Sequence, residues 1–353
     1  MKENNMQTLV KRFDENPLVT PSMLKPSAPD LEITCVFNPG AFQFEGKIWL
    51  LARVAERPVQ KPGSVSFPIL KEGEVTVLTF DTSDPKLDCH DPREIKYDGV
   101  GYLTTLSHLR LLCSTDGIHF TDPGLPALRG MGRNETLGIE DCRVSVLNDG
   151  RFVLTYSAVC TDGYGIGMRI TRDWKSFENY GMVLPPSNKD CALFEEPIDG
   201  QYMAIHRPSG VIVGGHYMWI GTSPNLKHWG EHTCIAQCRP GKWDSARIGI
   251  GAAPIKTVAG WLVLYHGANE KNRYCVGAML LDLKNPRQVI ARMDEPLLEP
   301  TAVYEREGFF GNVIFSNGHI LRGDQLFLYY GAADSVIAGA QISLTELLGR
   351  LVT

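Results

Sequence analysis

The stretch DGRFVLTYSAV at residues 149–159 carries the pattern on which the fold prediction depends. A glycine turn precedes a run in which side chains alternate with a period of two, and this alternation is typical of a β-strand. Four other stretches repeat the pattern: EGKIWLLARVAE at 45–56, DGQYMAIHRPS at 199–209, AGWLVLYHGAN at 259–269 and GDQLFLYYGAA at 323–333. One structural unit is therefore expected five times along the chain.

The spacing of the turn glycines sets the size of this unit. The last four glycines lie 50 to 63 residues apart, whereas 104 residues separate Gly46 from the second, which leaves room for an extra loop around residues 58 to 100. Periods of about 40 to 50 residues with several strands per unit are typical of propeller blades. Motifs such as TRDWKSF at 171 and TSPNLKHW at 222 predict hairpins of outer strands. The predicted fold is an all-β, five-bladed β-propeller.

The two ends of the chain complete this prediction. SLTELLGRL, near the C-terminus, predicts a short helix that Ser343 would cap. All 353 residues are expected to form one catalytic domain, with residues 1–30 packing on the propeller or closing it. A radial array of blades leaves a funnel at one end of its central channel, so the repeat predicts one shared pocket.

Composition narrows the range of partners. A net charge of -5 and a pI near 6.0 disfavour a nucleic-acid partner, which would require clustered Lys and Arg. No run approaches the ~20 apolar residues that cross a bilayer, and the N-terminus lacks a signal-peptide core, so no membrane partner is expected. Nine cysteines without a CxxC pair predict a reducing, cytoplasmic location. A small substrate is the expected partner.

The stretch GIEDCR at 138–143 contains two acids and an arginine. In an alternating strand Glu140 and Asp141 would face opposite sides, so one acid could enter the channel while the other pairs with Arg143. Such a motif can also simply fix a loop. The residues alone leave both interpretations open.

Other candidate residues follow the repeated strands. Aromatic rings mixed with Asn, Asp, Arg and His suit sugars, because sugars offer apolar ring faces and paired hydroxyls. The alternative is a surface ion-pair network for the charged residues and a structural role for the Tyr and His that end core strands. The candidates are Asn38, Arg53, Lys189, Asp190, His206, Arg207, Tyr265, His266, Arg273 and Asp334.

Several common chemistries lack their motifs. The nine histidines never occur as HxH or HExxH, so no metal site is expected. There is no GxSxG elbow and no Walker-type glycine loop, which disfavours a serine hydrolase and a nucleotide-binding enzyme.

Beyond these features, the chain resembles glycoside hydrolase family 130, the mannoside phosphorylases and β-mannosidases. The resemblance rests on motifs in family order that include VFNPGAF at 36, GIEDCRV at 138, NKDCALF at 188, HRPSG at 206, GWLVLYHGA at 260 and YYGAAD at 329. It implies a five-bladed propeller with its active site in the funnel. It also implies that Asp141 is the general acid and that Asn38, Arg53, Asp190 and Asp334 hold the non-reducing mannose.

In the phosphorylases of this family, inorganic phosphate attacks the anomeric carbon with inversion and releases α-mannose 1-phosphate, while the acid acts through a mannose hydroxyl. We assign the phosphate cradle to Lys189, Arg207, His266 and Arg273, and further substrate contacts to His206 and Tyr265. The predicted function is an inverting phosphorylase of β-mannosides, with β-1,2-mannobiose or short β-1,2-oligomannosides as substrates. No cofactor is expected beyond phosphate as co-substrate, and the resemblance suggests a homo-oligomer.

Departures from the family pattern keep an inverting β-1,2-mannosidase as the alternative. Around Asn179 the chain lacks an Arg-His pair that many phosphorylases carry, and Glu195 stands where proline is common. Glu195 could activate water, since an inverting hydrolase needs a second carboxylate about 6.5 to 9.5 Å from its acid. Cys142 also replaces the usual proline, which would affect the turn more than the chemistry. A catalytically silent sugar-binding propeller is a third class, disfavoured by the intact Asp141.

Overall fold

The computed structural model describes residues 9–91, 94–210 and 213–352. The strands in chain order are β1 (Val10–Arg12), β2 (Leu31–Phe44), β3 (Lys47–Pro58), β4 (Ser64–Lys71), β5 (Glu74–Asp81), β6 (Leu87–Asp91), β7 (Glu94–Tyr97), β8 (Val100–Leu103), β9 (Leu106–Ser114), β10 (Ile139–Val146), β11 (Phe152–Cys160), β12 (Gly163–Thr171) and β13 (Glu178–Leu184). They continue with β14 (Asn188–Leu193), β15 (Tyr202–Pro208), β16 (Met218–Ser223), β17 (Gly230–Ala236), β18 (Arg247–Ile250), β19 (Ile255–Thr257), β20 (Gly260–Ala268), β21 (Tyr274–Leu281), β22 (Val289–Arg292), β23 (Ile314–Arg322), β24 (Gln325–Ala332) and β25 (Val336–Ser343). Two short α-helices are described, α1 (Val303–Arg306) and α2 (Leu344–Leu351), and two 3-10 helices of three residues each, Pro21–Met23 and Arg133–Glu135. The chain is therefore all-β.

Most strands belong to five antiparallel sheets. Sheet 1 contains β2, β3 and β9, sheet 2 contains β10 to β13, sheet 3 contains β14 to β17, sheet 4 contains β18 to β22, and sheet 5 contains β23, β24, β25 and β1. The five repeated stretches of the sequence form β3, β11, β15, β20 and β24. Each of these strands pairs with the first strand of its sheet, which is β2, β10, β14, β18 or β23. Their alternation thus predicted real strands.

Neighbouring sheets pack through apolar side chains that line their facing sides. Strand β2 contacts β10, β10 contacts β14, β14 contacts β18, and β23 contacts β20, β21 and β2. Between sheets 1 and 2, for example, the ring of Phe42 stacks on Trp174 with centroids 3.9 Å apart. This packing brings the first strands β2, β10, β14, β18 and β23 close to one another.

The chain ends join the same sheets. Strand β1 pairs with β25, so residues near the N-terminus complete sheet 5, and Arg12 Nε lies 2.7 Å from Glu305 Oε1. Residues 1–8 of the segment predicted to close the fold lie outside the described residues. Helix α2 begins as predicted, because Ser343 Oγ accepts a hydrogen bond from the Glu346 N–H at 3.2 Å. Within the described ranges, no helix has the length and apolar character needed to span a membrane.

The long first gap of the repeat is structured. Its residues form two small antiparallel sheets, one of β4 and β5 and one of β6, β7 and β8. The Leu70 N–H donates to the Thr136 carbonyl at 2.8 Å, which ties this insertion to the segment that leads into β10. The insertion therefore contacts the segment that precedes the EDCR motif, and it adds no strand to the five main sheets.

Candidate active site

Strand β10 departs from strict alternation at the EDCR motif. Its register with β11 shifts between Glu140 and Arg143, and Asp141 has φ 53°. A bulge of this kind re-aims a side chain. Strands β2 and β14 have the same shift beside Asn38 (φ 46°) and Asp190 (φ 54°). Asn and Asp tolerate the left-handed region better than most residues, so three adjacent sheets each deliver one polar side chain here.

The bulge corrects the prediction for the two neighbouring acids. Arg53 Nη2 donates to Glu140 Oε1 at 2.8 Å and Arg53 Nη1 donates to Asp141 Oδ1 at 3.1 Å, so both acids face one arginine. Arg143 instead donates to the Asp141 carbonyl at 2.9 Å and to Asp190 Oδ1 at 3.1 Å. The expectation of opposite sides fails because the extra residue interrupts the period of two.

A pocket of about 300 Å³ opens above these bulges. The predicted site residues that line it are Asn38, Arg53, Asp141, Lys189, Asp190, Arg207 and Asp334. The sequence did not single out most of its other lining residues, which are Tyr164, Ser209, His216, Arg247, Tyr274, Phe310, Val313 and Phe315. The pocket therefore joins charged groups from several sheets to an apolar wall, in a volume at the small end of ligand sites.

Asp141 is held as a carboxylate in this pocket. Its Oδ1 accepts hydrogen bonds from Asn38 Nδ2 at 2.9 Å and from Arg53. Burial alone would raise the pKa of Asp141, but the charges of Arg53 and Lys189 and the Asn38 hydrogen bond outweigh burial and lower it. Among the described residues, no group hydrogen-bonds to Asp141 Oδ2. This second oxygen remains available to a ligand.

Asp190 connects three basic side chains. Its Oδ2 accepts from Arg207 Nε at 2.6 Å and lies 3.2 Å from His266 Nε2, while Arg143 binds Oδ1. Burial would raise the pKa of Asp190, yet the charges of Arg207 and Arg143, together with the contact from His266, lower it well below its usual range. Gly249 makes this cluster possible, because a Cβ there would overlap Asp190 Oδ2 and lie 2.6 Å from the His266 ring. Asp190 thus holds Arg207 at the pocket.

One side of the pocket is cationic. Lys189, Arg207 and Arg247 line it, and Lys189 Nζ is 3.6 Å from Glu140 Oε2 and 4.7 Å from the centroid of the Tyr164 ring. Arg247 Nη1 donates to the Tyr274 hydroxyl at 2.8 Å, and no carboxylate in the described part of the chain pairs with this guanidinium. A half-buried charge without a partner is costly until an anion binds. Guanidinium and ammonium groups together suit phosphate.

Two residues predicted to contact the sugar lie elsewhere. His206 is buried, and its Nε2 lies 3.0 Å from His232 Nδ1. Its neighbour Arg207 faces the pocket, so His206 faces away, as successive residues of a strand do. Tyr265 is buried in the core and donates to Asp244 Oδ2 at 3.0 Å. Both predictions of substrate contact are therefore corrected.

Two residues predicted for the phosphate cradle also do not line the pocket. Arg273 forms an ion pair with Glu299, whereas the next residue, Tyr274, lines the pocket instead. His266 is buried behind Asp190, where burial lowers its pKa although Asp190 opposes the shift. Arg273 is thus withdrawn from the cradle, and His266 can act only through Asp190 in this arrangement.

The two features that suggested a hydrolase are also outside the pocket lining. Glu195 Oε1 accepts from the Val146 N–H at 2.9 Å, and burial raises the pKa of this carboxyl. Asn179 is exposed on β13, where its Oδ1 accepts from the Gly181 N–H at 2.9 Å. The carboxyl of Glu195 connects the end of β10 to the segment that follows β14. This position outside the pocket lining corrects its interpretation as a water-activating base.

The missed pocket residues had weak sequence signals. Arg247 begins β18, the first strand of sheet 4, so alignment of the first strands of all five units could have pointed to it. Tyr164 follows the turn between β11 and β12, and His216 lies in a glycine-rich connection before β16. No group of three or more His, Cys, Asp or Glu side chains in the described ranges could hold a metal ion.

A carboxylate beside a cationic cleft, with aromatic and apolar walls, suits an enzyme that binds a sugar together with an anion. The model of glycoside hydrolase family 130, described as beta-1,4-mannooligosaccharide phosphorylase, matches residues 103–352. The chain belongs to this family of enzymes.

Individual relatives agree with this assignment. The chain is 43% identical over 349 residues to the beta-1,2-mannobiose phosphorylase of Listeria innocua serovar 6a, covering 97% of this chain and 98% of that protein. It is 39% identical over 245 residues to a 1,2-beta-oligomannan phosphorylase of Thermoanaerobacter sp., covering 69% of this chain and 80% of that protein. The solved complex of the Listeria innocua enzyme with beta-1,2-mannobiose matches with a TM-score of 0.93 and 42% identity, over 97% of this chain and 99% of that one.

Proposed function

We propose that this chain is an inverting β-mannoside phosphorylase that converts phosphate and β-1,2-mannobiose, or short β-1,2-oligomannosides, into α-mannose 1-phosphate and a sugar shortened by one mannose. The observation that carries the proposal is the cationic side of the pocket, where Arg247 has no carboxylate partner among the described residues and lies in the same cavity as Asp141. A hydrolase has no need of an anion cradle beside its acid. The names of the two relatives support the same activity.

The chemistry follows from the charges around the pocket. A phosphate oxygen attacks the anomeric carbon, the glycosidic C–O bond breaks, and the leaving oxygen takes the proton that Asp141 supplies, directly or through a sugar hydroxyl. The attacking hydrogenphosphate keeps its proton while the new C–O bond forms, and the resulting α-mannose 1-phosphate then gives this proton to the Asp141 carboxylate, which balances the reaction. Arg207 and Arg247 would stabilise the phosphate in the transition state. An anionic nucleophile also removes the need for a second carboxylate.

The pKa of Asp141 fits this order of events. Burial would raise the pKa of Asp141, but Arg53 and Lys189 outweigh it and lower the pKa, so the group is a carboxylate before phosphate and sugar bind. A bound phosphate dianion offsets these cations, and a bound sugar excludes water from the carboxyl, so both raise the pKa of Asp141. Protonation of the acid is thus coupled to assembly of the ternary complex.

We further propose that sheets 1 to 5 are the blades of one five-bladed propeller domain. Contacts between successive sheets, and between sheet 5 and sheet 1, support this arrangement. Pairing of β1 with β25 would close the last blade with the N-terminal segment. All nine cysteines are free, which supports a reducing location such as the cytoplasm.

Initial rates of β-1,2-mannobiose consumption with and without inorganic phosphate test the proposal. We expect consumption only with phosphate, and a phosphate-dependent rate that is about 10²- to 10⁴-fold lower in Asp141→Asn. β-1,4-Mannobiose serves as the control for linkage. Equal rates with and without phosphate would make the chain a hydrolase and contradict the proposal.

A further inference from the structure

His216 lies on the cationic side of the pocket and has no part in the chemistry described above. Its ring is half-buried and lines the pocket, and its Nδ1 lies 3.3 Å from Arg207 Nη1. Its backbone forms a parallel bridge to Arg247, and the Ile248 N–H donates to the His216 carbonyl at 3.0 Å. His216 is thereby fixed beside both arginines of the cationic side.

Arg207 determines which ring nitrogen carries the proton. A guanidinium can only donate, so Nδ1 of His216 accepts and carries no proton. Burial, followed by the charges of Arg207 and Arg247, lowers the pKa of His216, while Asp190 opposes the shift. The other contact, from Cys238 Sγ, reaches only the His216 carbonyl. The ring is therefore neutral, with its proton on Nε2.

Nε2 of His216 has no hydrogen-bond partner in the described part of the chain. It is an N–H donor on a ring that lines the same cavity as Arg207 and Arg247. We infer that His216 is a further phosphate ligand, which donates its Nε2–H to one phosphate oxygen while Arg207 and Arg247 bind the others. The inference rests on the proposed function, in which phosphate is the co-substrate.

A neutral donor contributes differently from a third cation. It adds one directed hydrogen bond without adding charge, so it fixes the orientation of the phosphate relative to the anomeric carbon. The same contact would form with the phosphate group of α-mannose 1-phosphate in the reverse reaction. The affinity for the sugar should not depend on His216, because the ring contacts Arg207 and not the carboxylate of Asp141.

Two substitutions separate the donor from the bulk of the ring. In His216→Gln the amide nitrogen reaches about the position of Nε2, whereas in His216→Asn it reaches about the position of Nδ1. Inorganic phosphate is titrated into each protein by calorimetry, and KM is measured for phosphate and for β-1,2-mannobiose. His228→Asn is the matched control, since His228 is exposed and contacts Asn225 in the turn after β16.

A hydrogen bond to a charged group predicts that His216→Asn raises the phosphate Kd and KM about tenfold, while His216→Gln stays within about threefold of the wild type. KM for mannobiose should change less than about twofold in both. Unchanged phosphate affinity in His216→Asn, or equal losses in both variants, would overturn the inference. Phosphate-independent consumption by the wild type would instead contradict the proposed function, and the Kd comparison would still decide the role of His216.

Discussion

Replacing Arg247 by glutamine tests whether the cationic side of the pocket binds the co-substrate. The Arg247 guanidinium lines the pocket and donates to the Tyr274 hydroxyl, and no carboxylate among the described residues neutralises it. Arg247 takes no part in the ion pairs of Asp141 or Asp190, so those should survive the substitution. We therefore expect Arg247→Gln to weaken the binding of phosphate and to leave the binding of the sugar unchanged.

The size of the loss follows from the contact that is removed. A hydrogen bond between charged groups contributes about 1.5 to 3 kcal/mol, and about 1.4 kcal/mol corresponds to a factor of ten. Arg247→Gln should therefore lower kcat/KM for phosphate by roughly 10- to 150-fold. KM for β-1,2-mannobiose should change by less than about threefold, because the substitution leaves the Asp141 side intact.

The assay measures initial rates over a range of phosphate concentrations at saturating β-1,2-mannobiose. Arg273→Gln is the matched control. Arg273 directly precedes β21 of sheet 4, pairs with Glu299 and does not line the pocket. This control substitution should change kcat/KM for phosphate by less than about twofold. Wild-type kcat/KM for phosphate in Arg247→Gln, or an equal loss in Arg273→Gln, would show that Arg247 does not bind the co-substrate.

Three further results are expected. Asp141→Asn should lower kcat by about 10²- to 10⁴-fold with unchanged circular dichroism, and near-wild-type turnover would exclude it as the acid. In Gly331→Ala the added Cβ would overlap the Asn38 side chain that binds Asp141. This substitution should lower kcat at least about tenfold and the free energy of unfolding by about 1 to 3 kcal/mol. Wild-type kinetics and a wild-type urea denaturation curve would refute this expectation. Burial lowers the pKa of His206 to about 3 and of His319 to about 4, so the unfolded chain binds more protons below about pH 6.5. The free energy of unfolding should therefore be fully retained above that pH and fall by up to about 1.4 kcal/mol per pH unit for each ring as the pH drops toward 4. Equal free energies of unfolding from urea denaturation at pH 7 and pH 5 would contradict this expectation.

The strands were predictable where the signal is local. In β11 the alternation of residues 152–157 follows directly from the pleat, and the cap at Ser343 needs only the following helix. The bulges were not predictable in the same way. A register shift depends on the partner strand, so the sequence GIEDCR could not reveal that Glu140 and Asp141 both face Arg53.

The site was predictable where a motif and the fold agree. Asp141 and Arg207 line the pocket as expected, and their motifs were sufficient to find them. His206 was not separable from Arg207 by sequence, because either neighbour on a strand can face the pocket. Arg247 and His216 come from a short strand and a loop without a motif. Only the packing of sheets 3 and 4 brings them together.

In the proposed reaction phosphate, and not water, cleaves the mannosidic bond. Purified protein is incubated with β-1,2-mannobiose and inorganic phosphate, and the products are followed by phosphorus and proton nuclear magnetic resonance. We expect α-mannose 1-phosphate and free mannose in equal amounts from the first turnover onward, with inorganic phosphate consumed at the same rate. Two mannose molecules for each mannobiose, with inorganic phosphate unchanged, would contradict it.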